Sequence, residues 1–137
     1  ESQRLFPTVP WIGRRITQKL NIGDYTLQPG MTANISVVPL HRNPKQFPDP
    51  LVFRPERFDQ QSDHCCEHNP FAFVPFSAGS RNCIGQKFAV LEEKVVITYI
   101  LQRFQLTTTQ AFEELKPAME LVLRPTSGIW IQFSKLQ

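Results

Sequence analysis

The chain has 137 residues, enough for one ordinary domain with a core of its own, and its 41% hydrophobic and 20% charged content are globular values. A net charge of +3 comes without the basic run that nucleic-acid binding needs. No apolar stretch approaches the roughly 18 residues of a membrane span. Twelve prolines predict much irregular backbone. The cysteines, Cys65, Cys66 and Cys83, make a poor disulfide framework, being odd in number with two adjacent, and point to a reduced compartment. The sequence shows no signal peptide and starts without Met, in what reads as the middle of a helix, as a fragment does.

In chain order, Glu1 to Leu5 has helical character and is stopped by Pro7. Glu1 and Arg4 lie three apart, on one helix face and within salt-bridge reach. For an arbitrary helix such a pair is a solvated surface contact worth little. Trp11 to Gln18 reads as extended. Lys19–Ile22 and Tyr25–Gln28 are short strand candidates around Gly23-Asp24, and Pro29-Gly30 turns the chain into a strand over Met31–Val38. Pro39 to Pro75 is a proline-punctuated meander with one helical turn around His41–Phe47. Phe47, Phe53, Phe58, Phe71, Phe73 and Phe76 anchor it, so it is packed rather than disordered. Phe88, Leu91, Val95 and Tyr99, with Ala89, Val96, Ile100 and Phe104, recur at helical spacing and predict a long helix from Gln86 to Arg103 whose apolar stripe is core. A polar segment at Thr107–Thr109 then leads to strands Met119–Leu123 and Gly128–Phe133, with the hairpin tip at Pro125–Gly128.

The chemistry concentrates in Phe76-Ser77-Ala78-Gly79-Ser80-Arg81-Asn82-Cys83-Ile84-Gly85. Cys83 stands just before the long helix, whose positive dipole end favours a thiolate. The amides of Ile84, Gly85 and Gln86 are candidates for donating hydrogen bonds to the sulfur. Gly79 and Gly85 remove bulk where a large flat cofactor would press on the backbone. Arg81 supplies a fixed positive charge suited to a carboxylate. An inert buried cysteine is the usual reading of a lone Cys, but the set offsets of Phe, Gly, Arg, Cys and Gly weigh against it.

This decapeptide resembles the haem-binding loop of the cytochrome P450 family, F-x-x-G-x-R-x-C-x-G, with every fixed position filled. Glu1-Ser2-Gln3-Arg4 resembles the family's E-x-x-R pair, and Pro55-Glu56-Arg57-Phe58 its P-E-R-F segment. Arg4-Leu5-Phe6-Pro7, His41-Arg42-Asn43-Pro44 and Gly128-Ile129-Trp130 also fit, so the resemblance covers the whole chain, closest to the eukaryotic and insect family-four branch. It implies an α+β arrangement: the C-terminal part of the mainly helical P450 fold, with residues 1–137 forming one partial domain. It implies haem b as cofactor with Cys83 as axial iron ligand, and Phe76, Gly79, Arg81, Ile84 and Gly85 around it. Glu1, Arg4 and Arg57 would form a buried ion network that locks the loop, an architectural rather than catalytic role. Val9 to Ile12, with Trp11, and the segment Thr126 to Gly128, with Ser127, would line the substrate pocket.

The resemblance further implies a monooxygenase, an oxidoreductase that inserts one oxygen atom from O₂ into a lipid-like or xenobiotic substrate. Electrons would come from NADPH through a flavoprotein reductase, docked near Lys87 and Lys94. The parent protein would sit at the endoplasmic reticulum membrane, on its cytosolic face. The membrane anchor and the oxygen-activating helix with its acid–alcohol pair would lie outside these residues, and the fragment alone would be inactive. His41 and Arg14 are further candidates for touching a haem propionate.

Other readings are a truncated product without catalysis, a metal site at His64, Cys65, Cys66 and His68, and a proline-rich interaction module using Pro7-Thr8-Val9-Pro10. The Cys/His spacing matches no usual zinc finger, and loop filler is the plainer account. The apolar neighbours of Pro7 and Pro10 indicate burial rather than presentation to a partner.

Overall fold

The computed structural model describes residues 1–63, 65 and 68–136. Among the described residues three α-helices and eight strands are joined by short 3₁₀ turns: α1 (Ser2–Leu5), β1 (Trp11–Arg15), β2 (Leu20–Ile22), β3 (Tyr25–Leu27), β4 (Thr32–Ser36), α2 (Val37–His41), α3 (Gln86–Leu101), β5 (Phe104–Thr107), β6 (Pro117–Met119), β7 (Leu123–Pro125) and β8 (Gln132–Lys135). The strands form antiparallel pairs, β1 with β4, β2 with β3, β5 with β8 and β6 with β7.

In the first pair Trp11 faces Ser36 and Arg15 faces Thr32, and the small hairpin β2–β3 is looped out between them. Gly23, with φ of 53°, supplies the left-handed residue its turn requires. The strand expected to run on to Val38 stops at Ser36. Val37 instead opens α2, its amide donating to the carbonyl of Pro10 at 2.9 Å. Pro39 falls in the first turn of α2, where its missing N–H has no intrahelical partner to lose. The helical turn therefore lies before His41–Phe47, which continues as turns closed by Phe47 N–H on the carbonyl of Asn43 (2.8 Å).

The meander is packed, as its aromatics indicate. Phe58 and Phe73 lie 4.8 Å apart by ring centroids, and Phe47 is fully buried, whereas Phe53 and Phe71 are exposed. The 3₁₀ turn Pro70–Ala72 is capped by Asn69, whose side chain accepts from Phe71 N–H. The core lies where α1, α2 and the meander converge, with Leu5, Val37, Phe47, Ala72 and Val74 buried beside the polar side chains of Arg4, His41 and Arg57.

Two expectations need correction. The C-terminal hairpin is β6–β7, with Met119 opposite Leu123, so residues 120–122 form its tip and Thr126–Gly128 lies beyond it. An apolar run such as Leu121-Val122-Leu123 does not by itself distinguish strand from turn. The last strand pairs with β5 rather than with Met119–Leu123, Leu106 standing opposite Phe133. Second, α3 forms as its periodicity demands, but no residue of it is buried. Phe88, Leu91 and Tyr99 are all more than half exposed, because within this chain the helix packs mainly on β5.

Candidate functional site

The cysteine loop is a backbone reversal. Ser77 and Gly79 both have positive φ, 65° and 78°, on either side of an extended Ala78. A 3₁₀ turn over Gly79–Arg81 follows, and Cys83 N–H returns to the carbonyl of Phe76 at 2.9 Å. A non-glycine residue in the left-handed region is disfavoured by roughly 1–2 kcal/mol. At Ser77 the hydroxyl receives Arg14 Nη2–H at 2.9 Å, which ties the strained turn to β1. Arg14 Nη2 also lies 3.4 Å from the carbonyl of Arg81, so one guanidinium spans the loop.

Ile12 and Arg14 are the half-buried residues of alternating β1 and so face the same way. With Val9, Trp11, Phe76, Arg81 and Cys83 they line a cavity of about 510 Å³. Gly85 caps the start of α3, and Ala89 and Glu93, four and eight residues on, also border this cavity. Glu93 receives the side-chain amide of Gln3 at 3.3 Å, joining α1 to α3.

Of the residues expected around the cofactor, Phe76, Arg81 and Cys83 therefore border one space, as do Val9, Trp11 and Ile12. Gly79 and Gly85 shape the backbone, and Ile84 projects into solvent. A Cβ at position 85 would lie 3.8 Å from the Cys83 sulfur, so the glycine leaves that atom uncovered. The amide of Gln86 donates to the carbonyl of Cys83 (3.3 Å) rather than to its sulfur, because the turn entering α3 closes on itself. Ser127 is not on this wall; its hydroxyl reaches the carbonyl of Glu114. Sequence reasoning missed Ser77 as the partner of Arg14, and Ala89, although a small residue one turn after Gly85 was a readable sign of close approach.

The buried network is more complete than an ion pair. Arg4 uses all five of its N–H donors. Nε and Nη2 bind the two oxygens of Glu1 at 2.8 Å each. Nη2 also reaches the carbonyl of Val52, and Nη1 those of His41 (3.0 Å) and Pro50 (2.7 Å). The guanidinium lies 5.3 Å from the ring centre of Phe47. Glu1 further accepts Arg54 N–H at 2.9 Å and pairs with Arg57 at 3.4 Å, while Arg57 Nη2 donates to the carbonyl of Asp49. Burial raises the Glu1 carboxyl, but hydrogen bonds from Arg4 and Arg54 and the charge of Arg4 outweigh it, leaving it below the usual range.

His41 is fully buried and does not border the cavity. Its Nε2 accepts Val74 N–H at 2.8 Å, and burial lowers its pKa to about 4. It is a neutral structural histidine, not a propionate contact. Pro7 and Pro10 are likewise fully buried, which withdraws that Pro-x-x-Pro spacing from any partner. Of the Cys/His cluster, His64 and Cys66 lie outside the described residues. His68 packs against the rings of Phe47 and Phe58. Lys87 and Lys94 line one shallow groove on α3 with Gln86, Val90 and Leu91.

Three-dimensional comparison defines the class. A solved structure described as retinoic acid bound cyanobacterial CYP120A1 superposes with a TM-score of 0.85 at 31% identity, covering 98% of this chain and 30% of that one. The fold is α+β, the C-terminal part of a cytochrome P450 haem domain. The sequence model of the family described as Cytochrome P450 matches residues 1–133, and the chain belongs to that family. Cytochrome P450 4V2 of Mus musculus is 47% identical over 135 residues, and Cytochrome P450 4c3 of Drosophila melanogaster 43% over 134. Both matches cover 98% of this chain and 25% of the relative, so the chain spans about a quarter of their length. Human Cytochrome P450 4F2, at 45% identity, belongs with them to the family-four branch.

The residues present fit a haem. An uncovered sulfur and two guanidinium groups share one otherwise largely apolar wall, the donor set that a thiolate-ligated iron and two carboxylates would need.

Proposed function

We propose that Cys83 is the axial thiolate ligand of haem b in a monooxygenase that inserts one oxygen atom from O₂ into a C–H bond of a lipid-like or xenobiotic substrate. The observation that carries this reading is the placement of the Cys83 sulfur in the same cavity wall as Arg14 and Arg81. When bound, haem with a cysteine ligand supplies O₂ chemistry, the thiolate pushing electron density to favour O–O cleavage. The chain's own residues do the rest. Phe76 and Gly79 shape the loop, Gly85 leaves the sulfur accessible, and Cys83 N–H is fixed on Phe76. Arg14 and Arg81 would hold the propionates of a bound haem by charge-assisted hydrogen bonds. Glu1, Arg4 and Arg57 keep the meander folded around the loop.

Val9, Trp11 and Ile12 offer an apolar surface to the substrate. The solved relative bound to retinoic acid, a largely apolar molecule, supports that class. Electrons come from NADPH through a flavoprotein reductase, which the Lys87–Lys94 groove would meet through acidic side chains. We assign the parent protein to the endoplasmic reticulum membrane, facing the cytosol, a reading that rests on its family-four resemblance; among the described residues no helix is long and apolar enough to cross a membrane.

Replacing Cys83 with Ala in the full-length protein containing this chain is expected to abolish both activity and the thiolate-type ferrous–CO spectrum. A thiolate-type spectrum surviving Cys83→Ala would reassign the ligand.

A further inference from the structure

Glu1 and Arg4 are buried beside the meander, and none of the hydrogen bonds described for these two residues reaches residues 76–85. A link from Arg4 to the cysteine loop therefore runs through another residue. We propose that His41 is the positioning residue that makes this connection, holding the backbone that enters the loop.

His41 ends α2 and bonds in both directions. Its carbonyl accepts Arg4 Nη1–H at 3.0 Å, and its imidazole Nε2 accepts Val74 N–H at 2.8 Å. The ring packs against Phe73 at 5.0 Å between centroids. Val74 is held at its other end too, its carbonyl receiving Ser77 N–H at 3.0 Å. Two residues on, the carbonyl of Phe76 holds Cys83 N–H. The order of contacts is thus Arg4, His41, Val74, then the turn that presents the sulfur. An acceptor at Nε2 requires the neutral ring with its proton on Nδ1. An imidazolium has no lone pair left for Val74. Arg4 from α1 places a cation against His41, with Arg42 next to it in sequence, while Phe73, Val74 and Pro75 carry no charge.

This inference rests on Cys83 being the haem ligand, and the test separates the two. In the full-length haem-loaded protein, His41→Leu fills the space without an acceptor, and His41→Gln returns an acceptor oxygen near the position of Nε2. Hydrogen exchange is read at the Val74 and Cys83 amides, with those of β1 and β4 as reference, and loss of the thiolate-type ferrous–CO band is timed in mild urea. His41→Leu should raise exchange at Val74 and Cys83 roughly tenfold relative to the reference amides and speed loss of the band by a similar factor, as expected for a buried donor without a partner. His41→Gln should stay near the wild type at neutral pH. Between pH 6.5 and the folded value of about 4, wild-type protection at these amides should fall, because opening exposes His41 to protonation, whereas His41→Gln should show no such fall.

Unchanged exchange at Val74 and Cys83 in His41→Leu overturns the proposal, and so does a uniform rise at all amides. If His41→Leu does not fold, the pH profile decides, and coincident wild-type and His41→Gln profiles refute it. A wild-type protein without a thiolate-type band would instead refute the ligand assignment and leave the exchange result standing.

Discussion

Arg4→Lys is the most discriminating perturbation of the buried network, because it keeps the charge and removes the geometry. Arg4 makes five hydrogen bonds from five donors, to Glu1 twice and to the carbonyls of His41, Pro50 and Val52. An ammonium has three donors on one nitrogen, so at least two of those acceptors lose their partner. Each buried unsatisfied group costs about 1–3 kcal/mol, so two cost about 2–6 kcal/mol. That loss is a large part of the ~5–15 kcal/mol that stabilises a typical domain. The same change in a solvated surface pair would cost under about 1 kcal/mol. The urea midpoint of the full-length haem-loaded protein, followed together with the thiolate-type ferrous–CO band, separates the two cases. An Arg4→Lys protein within about 1 kcal/mol of wild type would refute the network's structural role. The pH dependence has a defined sign. Glu1 titrates below its ordinary 4.5, so its contribution is present above that value and is lost as pH falls through the lowered folded one.

Two further substitutions test the site. Ser77→Gly removes the left-handed strain and the bond to Arg14 together, whereas Ser77→Ala keeps the strain and removes the bond. Ser77→Ala should therefore be less stable than Ser77→Gly by about 1 kcal/mol or more, and equal urea midpoints would show that the turn is not held as described. Lys87→Glu in the full-length protein should slow reduction by the flavoprotein partner and weaken its salt dependence; unchanged reduction kinetics would remove Lys87 from the docking surface.

What was legible in the sequence follows from how local each signal is. The cysteine loop could be read because its glycines and arginine lie within ten residues of one another and each answers a local need, as positive φ at Gly79 shows. The pairing of Glu1 with Arg4 was legible for the same reason. The completeness of their burial was not, since the carbonyls that finish the coordination belong to His41, Pro50 and Val52, 37 to 48 residues away. The role of His41 was not legible because nothing near it in sequence announces Val74. The C-terminal pairing failed similarly: β5 and β8 are separated by the whole β6–β7 hairpin, and a run of Leu and Val fits a tip as well as a strand.

The stripe on α3 raises the question of what this chain needs in order to stand alone. A compact monomer of 15.8 kDa is expected to expose roughly 7,300 Å². This chain exposes 10964 Å², about half as much again. The excess includes large apolar groups that soluble monomers rarely display together, among them Phe88, Leu91, Val96, Ile97 and Tyr99 along α3 and Leu20, Ile22 and Tyr25 on β2–β3. The apolar core that remains is small, and it surrounds two arginines and a histidine whose burial is costly unless every partner is in place. Expressed alone, the 137-residue chain should show helical far-ultraviolet signal, bind a hydrophobic dye and unfold without a sharp transition, as a collapsed state lacking fixed packing does. Any haem it takes up should be held loosely, since the cavity beside Cys83 has a wall on this chain and the matched portion covers only 30% of the solved relative. A cooperative thermal transition without dye binding, together with a sharp thiolate-type ferrous–CO band, would refute this and show that the buried network and the cysteine loop suffice by themselves.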